Sequence, residues 1–305
     1  MPTYPAPPPT LTGDVETISR FLNSPTDVQR RVRDISLNRY LTDFIFPGRI
    51  EASGGAILYE IAEGQFLAKD PEAVNPGAQY TRTTEVRGTA AIAAVKKWGE
   101  DVPLTDEQIK RMKGLALNRT LTKLANTMIK KVDSVAMAAA GAAITQTQTT
   151  AAAWDTDDAD PFLDVMLADA TVVGLDQGYE PDVLVLTDVL YARMVANQKV
   201  INGLAREAAN TVTSDGQVLM IAGKTIARTN HLPNGIDRLL IDREQFGALG
   251  YEDLESPEYE GDPANGVETW VRRDPDANDT WLLRGRRPVV PVVLEPNAGI
   301  SIEDS

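Results

Sequence analysis

The chain holds one histidine, His231, and no cysteine. That composition excludes thiolate nucleophiles, disulfides and sulfur-ligated zinc, and multi-histidine metal sites with them. His231 sits in "TNHLPNG", a turn-rich stretch that reads as a surface loop. Three other stretches could carry chemistry. "GKT" at Gly223–Thr225 has the end of a phosphate-binding loop, but GxxxxGK[ST] needs a glycine where this chain has Val218. Lying between two strand-like runs, it reads as a hairpin turn. "DPDAND" has calcium-loop spacing at Asp274, Asp276 and Asn278, but Asp279 replaces the glycine and Gly285 the bidentate glutamate. It reads as a hairpin tip. "DTDDAD", Asp155–Asp160, could hold a divalent ion loosely, with nothing beside it to complete a shell. The expectation is a chain without catalytic residues, cofactor or metal; an α/β enzyme with an unrecognised carboxylate site stays as an alternative.

Charge bounds the partners. Acidic side chains number 44 against 30 basic, a net of -14, which argues against condensing nucleic acid by neutralisation. Any contact with DNA must be local. The place for it is the run from Lys110 to Lys131, where Lys110, Arg111, Lys113, Arg119, Lys123, Lys130 and Lys131 occur with no acid among them. The alternatives are a solvated face and one paired with acidic neighbouring subunits. Arg30, Arg31 and Arg33 form a second basic group, solvated or partner-binding. No apolar run is long enough to span a membrane. The N-terminus lacks the basic and apolar regions of a signal peptide, so a cytoplasmic protein is expected.

The elements that must position these residues follow from period and punctuation. Five prolines in the first nine residues dictate an extended arm. Helices are expected at about Asp14–Leu22 and after Ser24, with Pro25 at the first helical position. "YLTDFIFPGRIEASGGAILYEIAEGQF" reads as strands and turns, with a strand at Ile57–Ile61. Leu67–Gln79 is turn-rich, and a strand is expected from Tyr80 to Trp98. Together these make a long hairpin with a loose tip, marginal alone and in need of a neighbour. A Trp-Gly corner and a proline then lead into a helix capped by Thr105 and Gln108. Its apolar stripe, Leu117, Leu121, Leu124, Met128, Val132, Val135 and Ala139, predicts one helix over 105–144, about 60 Å long. Thr145–Pro161 reads as a linker. Beyond it the pattern is α/β, with helices at "PFLDVMLADATVVGL", "DVLYARMVANQ" and "LAREAAN", and buried strands at "DVLVLT" and "DRLLID". An acidic run, Glu252–Asp262, precedes three closing strands.

The order of parts, with "VKKWGEDVPLTDEQIKR" entering a long helix and "RRPVVPVVLEPNAGISIED" closing the chain, resembles the major capsid proteins of tailed bacteriophages, whose fold is named after phage Hong Kong 97. The resemblance implies an α+β capsid fold: N-terminal arm over 1–49, E-loop hairpin over 50–87, P-domain over 88–158 with its spine helix, A-domain over 159–263, and returning P-domain strands over 264–305. It implies an icosahedral shell of hexamers and pentamers enclosing double-stranded DNA, assembled in the host cytoplasm. A separate scaffolding protein, a portal and a decoration protein are the implied partners, since the arm starts at Met1 with no fused scaffold. Some members join subunits by a Lys-Asn isopeptide bond; Lys69 and Asn297 match no motif for it. Within the fold, the alternative is an encapsulin, a shell around enzyme cargo.

Overall fold

Two helices, α1 (Val15–Leu22) and α2 (Pro25–Ser36), form where the caps place them. The Ser24 hydroxyl donates to Asp27 at 2.9 Å, and the main-chain oxygen of Ser24 accepts from Asp27 and Val28. The computed structural model describes residues 15–36, 40–62, 66–112, 114–156, 158–203, 220–274 and 279–304. The proline-rich stretch 1–14, Lys113 and the helix expected at 204–210 lie outside the described residues.

The first departure from the sequence reading is α3 (Leu41–Ile45), a helical turn inside a segment expected to hold only strands and turns. Its own N-cap residue, Tyr40, makes no side-chain cap bond. The cap comes from Asp133, distant in sequence, whose carboxylate accepts from the main-chain N–H groups of Leu41 at 3.3 Å and Thr42 at 2.9 Å. A cap supplied by tertiary structure leaves no local trace.

β1 (Gly48–Glu51) and β2 (Ala56–Ile61) follow, and β2 pairs with β3 (Thr89–Ala94) as an isolated antiparallel ribbon. The strand expected from Tyr80 starts only at Thr89. Residues 80–88 join no ladder with any strand among the described residues. β4 (Lys96–Thr105) also corrects the sequence reading. In place of a corner at Trp98-Gly99, the strand runs straight through both residues and through Pro103. Gly99 is needed there, since a Cβ would lie 3.0 Å from the Gly285 carbonyl oxygen. β4 pairs on one side only, with β12 (Thr280–Val293), and an open edge tolerates proline.

The Thr105 and Gln108 capping box is present, with reciprocal bonds of 3.3 Å each. It opens α4 (Asp106–Met112), and helix resumes as α5 (Gly114–Ala143) on the far side of Lys113, which lies outside the described residues. The 30 residues of α5 span about 45 Å. Leu117, Leu121, Leu124, Met128 and Val132 are buried as the stripe predicts, but Val135 and Ala139 are half-buried and Ala136, Met137 and Ala140 replace them. The buried face rotates where α5 meets a new neighbour: a Cβ on Gly141 would sit 2.7 Å from Pro233 and 2.9 Å from Ile236.

Two larger sheets flank this helix. In the first, β12 is bordered by β4 on one edge and, in tandem, by β11 (Glu268–Arg273) and β10 (Gly247–Tyr251), with β1 parallel to β10. The second has the order β5 (Thr147–Thr149), β13 (Gly299–Glu303), β9 (Arg238–Ile241), β6 (Val183–Leu186), β8 (Lys224–Arg228), β7 (Met220–Ile221). Helices α6 (Pro161–Val173), α7 (Asp188–Ala196) and α8 (Gln198–Gly203) accompany it, and α9 (Arg243–Phe246) leads into β10. The sheets cut across the boundaries drawn from sequence. β5 and β13 belong with the strands of 159–263, whereas β10, inside that range, belongs to the first sheet.

The stretch 145–161, expected as a linker, contains β5 and a buried Trp154. Its indole N–H donates to Asp164 at 2.8 Å, and its ring lies under the guanidinium of Arg238, 4.6 Å away. Arg238 is buried and donates to Asp304 at 2.5 Å. The GKT stretch is the β7–β8 turn, with Ala222 at φ 50° and Gly223 at φ 76°.

Candidate assembly surfaces

The hairpin is the clearest exposed feature. β2 reads AILYEI, with apolar residues on both of its faces and Glu60 alone charged, a pattern suited to a strand covered on two sides. Only one side is covered within the chain: Ile57 packs with Ala52 and Val292 at the hairpin root. On the opposite face Leu58 is paired across the ribbon with Ile92, and the two are 73% and 72% exposed. Beyond the ribbon, Phe66, Leu67, Tyr80 and Val86 are exposed as well. The sequence reading expects the hairpin to need a neighbour but does not name this face; the apolar run Ala56–Tyr59 is its signal.

The root of the hairpin is anchored by a partly buried polar knot. One oxygen of Asp43, on α3, accepts from Arg49 at 2.8 Å and from Arg287 at 2.7 Å. Arg49 also donates to the carbonyls of Phe46 at 2.6 Å and Ala264 at 2.9 Å. Arg287 is fully buried, with its guanidinium 4.5 Å from the centre of the Tyr40 ring. Burial pushes the Tyr40 hydroxyl's pKa far up and lowers that of Arg49 against the attraction of Asp43. The knot joins α3, β1 and β12, so the ribbon projects from a rigid base.

Along α4 and α5 the basic side chains Lys110, Arg111, Arg119, Lys123, Lys130 and Lys131 are exposed. Arg119, Lys123 and Lys130 share one face by their spacing, and none has an acidic partner among the described residues. Lys131 lies further round the helix, its ammonium 4.7 Å from the Trp98 ring centre. Of the other basic group, Arg31 and Arg33 are exposed and Arg30 lies 3.9 Å from Asp27. Those three are on α2, away from the α5 series in sequence.

α6 offers another uncovered apolar face, with Phe162, Leu163, Met166, Leu167 and Val173 exposed. Its inner face buries Val165, Ala168 and Val172.

The buried acids have structural partners: Asp133 caps α3, Asp164 accepts from Trp154, Asp242 caps α9 and Glu268 accepts from Arg286 at 2.7 Å. Burial raises the pKa of Asp133 and of Asp164. No group of three or more metal-binding side chains occurs among the described residues. No described helix is long and apolar enough to cross a membrane.

The arrangement is thus a two-stranded ribbon with an uncovered apolar face, a polar anchor beneath it and a long helix. Solved structures agree on the fold. A phage-related protein from Bordetella bronchiseptica RB50 is 13% identical with a TM-score of 0.61, over 90% of this chain and 95% of that one. The capsid of the cyanophage P-SCSP1u is 16% identical at a TM-score of 0.58, over 85% and 86%. A virus-like particle from Pyrococcus furiosus is 9% identical at 0.56, over 90% and 97%. No curated protein matches the sequence. The family model for phage capsid proteins matches residues 88–302, and the chain belongs to that family. It is a structural protein of the virion, a major capsid protein whose copies assemble into an icosahedral shell. The encapsulin alternative has no better support.

Proposed function

We propose that the shell encloses double-stranded DNA, that its copies are held together by the hairpin lying over a neighbouring copy, and that the chain performs no catalysis. The observation that carries this reading is the Leu58–Ile92 pair, two large apolar side chains side by side on the open face of a two-stranded ribbon. Such a ribbon is marginal in water alone, and a covering chain removes the apolar surface from solvent. In this reading the hairpin and residues 66–88 are the E-loop, the β12 sheet with α4 and α5 the P-domain, and the β6 sheet the A-domain, gathered into hexamers and pentamers. Arg119, Lys123 and Lys130 face the packaged DNA, while Arg30, Arg31 and Arg33 meet neighbouring chains. A separate scaffolding protein, a portal and a decoration protein complete the assembly, which takes place in the host cytoplasm. Electron microscopy of the expressed chain, with size-exclusion chromatography, tests the proposal. Closed uniform shells are expected when a scaffolding protein is coexpressed. A small discrete oligomer under every condition, scaffold coexpression included, would overturn the proposed hairpin-held assembly.

A further inference from the structure

The stretch "TNHLPNG" joins β8 to β9. Its ends are fastened beside β6: the Thr229 N–H donates to the Leu186 carbonyl at 3.0 Å, and the Asp237 carbonyl accepts from Thr187 at 3.3 Å. Between them Pro233, Asn234, Gly235 and Ile236 form a β-turn, closed by the Ile236 N–H on the Pro233 carbonyl at 3.1 Å. The two outer residues of the turn lie against Gly141 of α5. The two central ones, Asn234 and Gly235, are exposed.

Asparagine followed by glycine can react with its own main chain. The glycine nitrogen attacks the asparagine Cγ, the bond from Cγ to the side-chain nitrogen breaks, ammonia leaves and a succinimide ring remains. Water then opens the ring at either carbonyl, giving aspartate or, with the main chain lengthened by a methylene, isoaspartate. Glycine favours closure because it has no side chain to obstruct the ring. The pair occurs at Asn202, Asn234 and Asn265, and the fold treats the three differently. Asn202 lies within α8, and its side-chain oxygen accepts from Gln198 at 2.9 Å. Asn265 is tethered: its amide donates to Asp262 at 2.8 Å, and Asp262 is itself held by the Ala264 N–H at 2.9 Å. The Asn234 side chain makes no hydrogen bond among the described residues. Gly235 stands at φ 92°, and a Cβ on it would meet nothing within 4 Å.

We propose that Asn234 is a self-modification site, converting through a succinimide to aspartate and isoaspartate while Asn202 and Asn265 are protected by their surroundings. The inference is independent of what the shell encloses. Isoaspartate at 234 adds a charge and inserts an extra main-chain atom between Pro233 and Ile236. Those two residues leave no room for a methyl group on Gly141, so a longer turn cannot keep both in place, and the loop loosens from α5 as the protein ages.

The test follows the purified chain at mildly alkaline pH by peptide mass mapping. Trypsin cuts after Arg228 and Arg238, so one peptide carries Asn234, and fragmentation separates it from Asn230. Asn234 should convert at least about tenfold faster than Asn202 or Asn265, whose local structure must open first. In urea the three rates should converge, and Asp262→Ser should raise the rate at Asn265 severalfold. Equal rates at the three sites in the folded chain, or an Asn234 that persists there, would overturn the assignment. The link to α5 is read by unfolding. Asn234→Asp supplies the charge without the longer main chain and should keep the urea midpoint of the unaltered chain, while the isoaspartate fraction should unfold at lower urea. An isoaspartate midpoint no lower than that of Asn234→Asp would overturn the link.

Discussion

Thr42 and Asp133, on separate helices, are joined twice: the main-chain N–H and the hydroxyl of Thr42 both donate to one carboxylate oxygen, at 2.9 and 2.6 Å. Burial holds the Asp133 carboxyl above its ordinary range, more strongly than the bonds from Thr42 and Leu41 pull it down. The contribution of Asp133 to stability is therefore complete below the unfolded carboxylate value of about 4 and declines as pH rises through the higher folded value. Asp133→Ala should cost about 1–3 kcal/mol through the lost cap. Against Asp133→Asn, which cannot titrate, the unaltered chain should lose its advantage steadily as pH is raised. Urea unfolding of the unassembled chain at several pH values measures both, and a gap that widens with pH would contradict the sign.

Asp43 neutralises two arginines at once. Asp43→Ala leaves the guanidinium of Arg287 buried without its carboxylate, and a loss of about 3 kcal/mol is expected. Adding Arg287→Met removes the stranded charge, so the double variant should be more stable than Asp43→Ala alone. The comparison of the two midpoints in urea decides the point.

Leu58→Asp and Ile92→Asp change side chains that a single copy leaves in water. Each should shift the stability of the unassembled chain by no more than about 0.5 kcal/mol. Both should nevertheless block shell formation, seen as loss of the void-volume peak in chromatography. An unfolded variant would be evident by circular dichroism, and normal shells would show that the pair is not a subunit contact.

Lys123→Glu combined with Lys130→Glu places four units of charge change on the exposed face of α5. Shell yield should hold, while the ratio of genome-filled to empty particles in a density gradient should fall severalfold through like-charge repulsion of phosphate. Unchanged filling would separate these lysines from DNA.

What was legible in the sequence was whatever local rules decide. The Ser24 and Thr105 caps, the buried runs of β6 and β9 and the Ala222-Gly223 turn each carry their cause within a few residues. What was missed has its cause elsewhere in the chain. The helix at Leu41–Ile45 exists because Asp133 caps it. Pro103 continues β4 because β12 pairs with one edge and leaves the other free. The inner face of α5 rotates because Pro233 and Ile236 lie beside Gly141. The hairpin's apolar face was readable in AILYEI, but a run apolar on both sides does not say whether the second cover is the same chain or another.

The 14-residue strand β12 and the strand β13 close after it have a consequence for the order of events at the ribosome. β12 lies between β4 and the pair β10 and β11, and β13 between β5 and β9. Residues 280–303 are thus translated after every strand they join, and both sheets wait for them. A subunit of this design stays incomplete while most of it is already made: β12 must arrive to join β4 to β10 and β11, and β13 to join β5 to β9.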